Sequence, residues 1–142
     1  MARIKLDPPR KVLFSVEIPV RITDINYGGH LGNDAMLSIL HEARMRFLMS
    51  KGWSEKSVEG SGLIMADAAV VFRSESFHGE VLEVEMGVED LSNIGFDILY
   101  SVVEKSSRRQ VAAAKTGMVF FDYERKRLGR VPDTFKPKLG ID

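Results

Sequence analysis

The chain has 142 residues, 44% of them hydrophobic, so it is long enough to bury its own core without a metal or a disulfide. Lysine plus arginine and aspartate plus glutamate each number 20, and this balance argues against nucleic acid or an anionic membrane as the partner. Because cysteine is absent, disulfides, thiolate nucleophiles and cysteine-ligated zinc are excluded.

The sequence also predicts a protein without a membrane anchor. Residues 1–11 lack the apolar core of a signal peptide, and no later run reaches the roughly 18 apolar residues that a membrane span needs. We therefore expect a single domain, residues 1–142, in a cytoplasmic protein.

The first predicted elements are a strand, a glycine-rich turn and a long helix. Residues 11–22 are rich in Val, Ile and Phe at alternate positions, which predicts a strand, and Pro19 favours an edge position or a break. The helix should begin at Asn33 or Asp34, either of which could cap its first turn. It should end just before Gly52.

The predicted helix carries apolar residues around most of its circumference. Its apolar stripe, with Ile39 and Met45 beside it, comprises Met36, Leu37, Leu40, Ala43, Phe47 and Leu48. Because only a narrow polar seam remains, we expect the helix to be mostly buried, with a sheet wrapped around it.

The second half of the chain predicts strands in succession, at residues 63–73, 81–88, 94–103 and 111–121. Residues 81–88 and 94–103 alternate apolar and polar positions, as in a sheet with one buried face. Residues 53–62 predict a short helix and a loop, and the charged residues 124–142 predict a surface tail. This order predicts an α+β domain whose open sheet edge favours pairing into a dimer.

The turn before the helix has the composition of a functional site. Asp24, Asn26, His30 and Asn33 lie within ten residues, and the glycines between them allow tight bends and close approach to a ligand. The three histidines of the chain have no metal-ligand spacing and no companion cysteine, so we expect no metal site.

A longer pattern extends from this turn into the helix. It comprises Arg21, Asp24, Asn26, Gly29, His30, Gly32 and Asn33, followed by Glu42 and Arg44. This pattern resembles R-x-x-D-x-D-x-x-G-H-x-N-N with a following E-x-x-R, which is typical of the 4-hydroxybenzoyl-CoA thioesterase family. Residues 72–80, FRSESFHGE, also resemble a strand end and turn of that family. The resemblance implies a hotdog fold, in which an antiparallel sheet wraps around one long central helix.

The chain departs from the family pattern most importantly at residue 26, although Gly32 also stands at an Asn of the pattern and Arg44 lies only near its Arg. Asn26 replaces the family's second Asp, which is the catalytic carboxylate of the benzoyl-type enzymes, and a carboxamide cannot act as a base or a nucleophile. Plant acyl-acyl carrier protein thioesterases share the fold and carry a Y-R-R-E-C run at a strand end. The run FRSES resembles it in part and places Glu75 at the glutamate, while His30 matches a turn histidine of those enzymes.

The resemblance implies roles for these residues in thioester hydrolysis. We expect Glu75 to act as general base or nucleophile, His30 to share the proton transfer, and Asn26 to orient water or Glu75. Asp24 should support the turn through its carboxylate. Backbone N–H groups around Gly32 and Asn33, at the positive end of the helix, should polarise the thioester carbonyl.

Other residues are candidates for binding the substrate. An acyl chain would be lined by Met36, Leu40, Met65 and Phe96. Glu42 lies on the polar seam of the helix, where it would either touch substrate or pair with Arg46. The basic residues 108–109 and 125–127 would bind CoA phosphates or face solvent.

The leading interpretation is hydrolysis of acyl-CoA or acyl carrier protein thioesters by a homodimer or homotetramer, with no cofactor beyond the CoA of the substrate. A catalytically weak acyl-thioester-binding protein is the first alternative, because Asn26 stands in place of the carboxylate. A hotdog dehydratase is the second alternative.

Overall fold

The computed structural model describes residues 2–141, which form an antiparallel sheet and two helices. A single turn of 3-10 helix, Ile22–Asp24, precedes the first of them. The strands are β1 (Phe14–Pro19), β2 (Gly62–Phe72), β3 (Val81–Glu89), β4 (Gly95–Glu104), β5 (Gln110–Asp122) and β6 (Arg127–Leu128), and the helices are α1 (Asn33–Ser50) and α2 (Phe135–Leu139).

The sheet has the order β1-β3-β4-β5-β2, with the short β6 paired to the end of β5. All of these pairings are antiparallel. β1 and β2 are therefore the edge strands, and Pro19 is the last residue of β1, which confirms the prediction of an edge or a break. A register shift between Met65 and Asp67 marks a bulge in β2.

The alternating patterns predicted the buried face of the sheet correctly. The inward residues are completely buried and comprise Leu82, Val84 and Met86 of β3 and Ile98, Tyr100 and Val102 of β4. Glutamates of β3 alternate with these residues and are partly exposed. The period of two thus confirms a sheet with one face on the core.

Helix α1 lies across that face of the sheet. The Phe47 ring is 5.6 Å from the ring of Phe14 in β1, and the Arg44 guanidinium donates to the Tyr100 hydroxyl of β4 at 3.2 Å. Neither helix among residues 2–141 is long and apolar enough to cross a membrane.

The expectation that α1 is mostly buried is wrong in part. Its buried residues are Met36, Ile39, Leu40, Ala43, Arg44, Phe47 and Leu48, which form one face. Leu37, predicted in the stripe, is 46% exposed, whereas Ile39, predicted beside it, is buried. One sheet covers one side of a helix, so the apolar residues on the opposite side remain at the surface of the chain.

The start of α1 also differs from the prediction. Gly32 occupies the capping position with an extended backbone, and no side chain caps the helix. Asn33 is already the first helical residue, so its side chain is not the cap. The end was predicted correctly, since the helix stops at Ser50 and Gly52 follows with a φ of +76°.

The helix expected within residues 53–62 is absent from the structure. Ser54 and Ser57 exchange two backbone hydrogen bonds of 3.1 Å, and Val58 and Ser61 do the same at 2.7 and 3.1 Å. Two consecutive tight turns therefore replace the helix, with Glu59 at a φ of +52° in the second turn.

The prediction of a surface tail for residues 124–142 is confirmed for residues 124–128, which are exposed, and wrong for α2; residue 142 lies outside the described residues. Phe135 of α2 is 1% exposed, and its ring centre lies 4.8 Å from that of Phe96, 5.3 Å from that of Phe120 and 5.6 Å from that of Trp53. Leu139, one turn later, is also buried. The C-terminal segment thus completes an aromatic cluster formed by Trp53, Phe96, Phe120 and Phe135.

Removing the Phe135 ring should therefore destabilise the whole fold. We expect Phe135→Ala to lower the free energy of unfolding by about 3–5 kcal/mol, because it leaves a cavity within the aromatic cluster. Urea unfolding followed by circular dichroism measures this loss, with Lys138→Ala of the exposed side of α2 as the control. Equal unfolding midpoints for the two variants would show that the tail does not support the core.

Candidate active site

The glycine turn is closed by the side chain of Asn26. Its carboxamide oxygen accepts hydrogen bonds from the backbone N–H groups of Gly28 at 2.9 Å and His30 at 3.4 Å. The Asn26 N–H donates to the His30 carbonyl at 2.9 Å, and Gly29 lies within the turn at a φ of +84°. The Asn26 oxygen is therefore used to shape the turn, so the predicted role of orienting Glu75 or water would fall to the amide N–H groups of its side chain.

Asp24 supports the turn from the other side. Its buried carboxylate accepts a hydrogen bond of 2.9 Å from the Arg21 N–H and weaker ones of 3.4 Å from the Arg21 guanidinium. The carboxylate thus binds Arg21, which precedes the 3-10 turn. We had expected it to accept hydrogen bonds within the glycine turn. The backbone carbonyl of Asp24, not its side chain, binds the glycine turn, because it accepts a hydrogen bond from the Gly32 N–H at 3.0 Å.

One backbone hydrogen bond joins the turn to the segment that follows β2. The Leu31 N–H donates to the Ser76 carbonyl at 2.8 Å. The residues just before these two, His30 and Glu75, consequently face each other, with His30 Nε2 3.7 Å from Glu75 Oε1. The structure thus brings together two residues that are 45 positions apart in the sequence.

The orientation of the His30 ring determines which nitrogen faces Glu75. Nδ1 lies 3.2 Å from the Leu31 carbonyl, and because a carbonyl only accepts, Nδ1 is the protonated donor. Nε2 then carries the lone pair of the ring, faces Glu75 and can accept a proton. The Glu75 side chain is 64% exposed, so water reaches its carboxylate.

His30 and Glu75 both line a cleft of about 220 Å³, which has a His30 wall from residues within 30–36 and a Glu75 wall from residues 72–76. Asn33 and Met36 of α1 extend the His30 wall, and Phe72, the last residue of β2, extends the Glu75 wall. The start of α1 therefore opens into the same space as the two ionisable side chains.

Only part of the expected oxyanion site is available for a ligand. The Gly32 N–H is already bound to the Asp24 carbonyl, so its predicted role as an oxyanion donor is wrong. The first bond inside α1 runs from the Met36 N–H to the Gly32 carbonyl at 3.2 Å. The Asn33 N–H has no acceptor within residues 2–141, and it lies at the positive end of the helix dipole.

The other predicted substrate-binding residues are distributed over several places. Met36 lines the cleft of His30 and Glu75, whereas Leu40 and Met65 line a second cleft further along α1. Phe96 is buried in the aromatic cluster, which corrects its assignment to the acyl site. Glu42 lies on the exposed side of α1 and pairs with Arg46 at 2.7 Å.

Sequence reasoning missed a network that fixes the wall carrying Glu75. The Arg109 guanidinium donates to both oxygens of Glu80 at 2.9 and 3.1 Å, to the Glu75 carbonyl at 3.0 Å and to the Ser74 hydroxyl at 3.2 Å. The sequence suggested the same role for Arg108 and Arg109, but Arg108 lies outside this network and pairs with Glu83 at 2.8 Å.

Glu80 is the centre of this network. Its Oε1 also accepts from the Ser76 hydroxyl and from the Phe77 N–H, each at 2.8 Å. Burial acts to raise the pKa of Glu80, but the hydrogen bonds, that from Arg109 foremost, outweigh it and hold the pKa below its usual value. Glu80 is therefore ionised near neutral pH and orders residues 74–77.

The histidines and carboxylates are not arranged as a set of metal ligands within residues 2–141. Among residues 2–141, no three His, Asp or Glu side chains are grouped so that they could hold a metal ion. His41, the histidine of the helix, instead lies 2.7 Å from the Glu55 carboxylate.

Solved structures with the same architecture come from several bacteria. A 1,4-dihydroxy-2-naphthoyl-CoA thioesterase from Synechocystis superposes with a TM-score of 0.80 at 22% identity, over 89% of this chain and 95% of that one. A Staphylococcus aureus protein in complex with CoA gives 0.80 at 16% identity, over 96% and 86%. A thioesterase-superfamily protein from Jannaschia sp. CCS1 gives 0.79 at 15% identity, over 94% and 87%.

The sequence itself identifies the family. No curated protein matches it. Residues 20–139, which include the glycine turn, α1 and the whole sheet from β2 onward, match the sequence pattern of the thioesterase-like superfamily. The expected hotdog fold is confirmed by the sheet wrapped around one long helix and by the solved structures. The chain belongs to the thioesterase-like superfamily.

Proposed function

We propose that this protein hydrolyses acyl-CoA thioesters to the free acid and CoA. The observation that carries the proposal is the 3.7 Å approach of His30 Nε2 to Glu75 Oε1 in a cleft that is also lined by Asn33, whose N–H has no acceptor within residues 2–141. Membership of the thioesterase-like superfamily supports hydrolysis of a thioester, and the CoA complex of the Staphylococcus aureus protein supports CoA as the carrier.

The start of α1 would polarise the substrate. A thioester carbonyl oxygen placed at the Asn33 N–H accepts a hydrogen bond from a donor that no protein group within residues 2–141 occupies. The helix dipole adds partial positive charge at the same place, so negative charge developing on that oxygen is stabilised.

Glu75 would supply the base that Asn26 cannot. As the water oxygen bonds to the carbonyl carbon, the Glu75 carboxylate takes a proton from the water. The C–S bond then breaks, and His30 Nε2, which lies beside Glu75, passes the proton on to the departing sulfur. Because the exposed carboxylate is open to water, we favour Glu75 as a base over Glu75 as a nucleophile.

The partial likeness to plant acyl-acyl carrier protein thioesterases supports this division of roles. The turn histidine and the glutamate after the strand correspond to His30 and Glu75, and these two residues meet in the cleft. Acyl carrier protein thioesters present the same carbonyl, so both carriers belong in the assay.

A catalytically weak binding protein is the second candidate, and Asn26 in place of a carboxylate favours it. Release of free thiol distinguishes the thioesterase from the binding protein. Release of free thiol from a panel of acyl-CoAs supports hydrolysis, whereas CoA binding without any thiol release supports the binding protein.

The first test is the conversion of Glu75 to its neutral isostere. We expect Glu75→Gln to lower kcat/KM for the best acyl-CoA by about 100-fold or more, because it removes the general base. Glu42→Gln is the matched control, since Glu42 is also an exposed glutamate but lies outside the cleft. Undiminished hydrolysis by folded Glu75→Gln would eliminate the proposed base.

The second test addresses the support of Glu75. We expect Arg109→Met to lower kcat by about 10-fold to 100-fold with little change in KM, because residues 74–76 lose the donor that positions them. Arg108→Met is the control, since Arg108 is the neighbouring arginine and pairs with Glu83 instead. An equal effect of both substitutions would assign the loss to general surface charge.

We also propose that the chain forms a homodimer or a larger homo-oligomer through β2. Within residues 2–141, β2 is paired along one side only, and it carries the exposed Met65 and Phe72. Sedimentation equilibrium should therefore give a mass at least twice that of the chain. A mass equal to that of the single chain at micromolar concentration would contradict the proposal.

A further inference from the structure

The second cleft, which has a volume of about 240 Å³, lies one to three helical turns beyond Asn33 along α1. Leu37, Leu40 and Met65 provide its apolar wall, and Arg44 and Thr116 provide two buried polar groups. The exposed Ser38 and His41 also line it. An apolar cleft that ends in buried polar groups is the usual form of a site that distinguishes ligands by one polar atom.

The polar end of the second cleft is a connected network. The Arg44 guanidinium donates to the Tyr100 hydroxyl at 3.2 Å, and the Tyr100 hydroxyl lies 2.7 Å from the Thr116 hydroxyl. All three side chains are more than nine-tenths buried. Burial raises the pKa of Tyr100, against the opposing effect of Arg44, so the phenol stays neutral near pH 7. The network therefore consists of two hydroxyl groups and one cation.

Arg44 has a donor that the protein does not use. Its Nε is buried and has no hydrogen-bond partner among residues 2–141. The Glu55 carboxylate is 3.9 Å away, beyond hydrogen-bond distance, and binds His41 at 2.7 Å instead. A buried donor without an acceptor is costly, so a bound oxygen near this guanidinium would be favourable.

The same geometry indicates which kind of oxygen fits. Glu55 already places a negative charge beside Arg44, so the charge of the guanidinium is offset although its hydrogen bonds are incomplete. A further carboxylate would be repelled by Glu55, whereas a hydroxyl or carbonyl oxygen would accept a hydrogen bond without this penalty.

Distance and volume limit the size of the ligand. Leu40 lies seven residues beyond Asn33, which corresponds to about 10 Å along the helix. A cleft of 240 Å³ exceeds the roughly 150 Å³ cavity that holds a benzene ring. A group that reaches from the Asn33 N–H into this cleft therefore extends over about eight to ten carbon atoms, at about 1.3 Å per bond of an extended chain.

We propose that the second cleft binds the far end of the acyl group, where Arg44 and Thr116 form hydrogen bonds with a hydroxyl or carbonyl oxygen of the substrate. The preferred substrates are thus acyl thioesters that carry a neutral oxygen remote from the thioester. This inference rests on the proposed function for the position of the thioester carbonyl at Asn33.

A matched pair of substrates tests the inference on the unaltered protein. The ω-hydroxydecanoyl and decanoyl thioesters of CoA differ by one oxygen atom, and we expect kcat/KM to favour the hydroxylated one by about 10-fold or more. We expect Thr116→Val to reduce that preference to below about 3-fold, because it removes a hydroxyl from the network at nearly constant volume. Thr116→Ser, which keeps the hydroxyl, should retain the preference.

A binding measurement separates this inference from the proposed function. Calorimetry with the non-hydrolysable thioether analogues of the same two ligands should show the same preference for the hydroxylated chain. Equal hydrolysis and equal binding of the two chains would overturn the inference and leave the thioesterase function intact. Preferential binding without any hydrolysis would support the second cleft and overturn the function. Tighter binding of an ω-carboxy analogue than of the hydroxy analogue would overturn the assignment to a neutral oxygen.

Discussion

The hydrogen bond from the Leu31 N–H to the Ser76 carbonyl is the constraint on which the site depends. It joins the glycine turn, which belongs to the first quarter of the chain, to the segment that leaves the edge strand β2. A shift by one residue at this contact would turn either His30 or Glu75 away from the cleft. A single backbone bond of 2.8 Å thus sets the relation between the two ionisable groups.

Each wall of the cleft is held by a different kind of interaction. The His30 wall is stabilised by the turn itself, through Asn26 and Asp24, and by the buried face of α1. The Glu75 wall is not part of a helix, and the ion pair of Arg109 with Glu80 stabilises it instead. Side chains fixed in advance by such supports lose little freedom when a substrate binds, which is a general requirement for efficient catalysis.

Much of the fold was predictable because a one-sided sheet places apolar residues at alternate positions, most clearly in the first half of β3 and the middle of β4. β3, β4 and β5 begin and end within one residue of the prediction, since each has apolar residues on the core face and glycine or charged turns at its ends. The C-terminal segment was not predictable in this way. Its charged residues outnumber Phe135 and Leu139, and no local pattern indicates that these two residues reach the core.

The site was predictable in its composition and only partly in its contacts. His30 and Glu75 could be named from the sequence, but the use of the Asn26 oxygen and of the Gly32 N–H within the turn depends on backbone geometry that no residue type encodes. Arg108 has a left-handed backbone with a φ of +60° and pairs with Glu83, whereas Arg109, the next residue, pairs with Glu80. Such differences arise from long-range packing, which lies outside local sequence patterns.

The aromatic cluster has a consequence for the way the protein is made. Phe135 fills a space between Trp53, Phe96 and Phe120, residues that leave the ribosome well before it does. Until α2 emerges, the nascent sheet exposes these three rings to solvent, where other apolar surfaces can contact them. The core of this domain is therefore complete only once α2 has been synthesised.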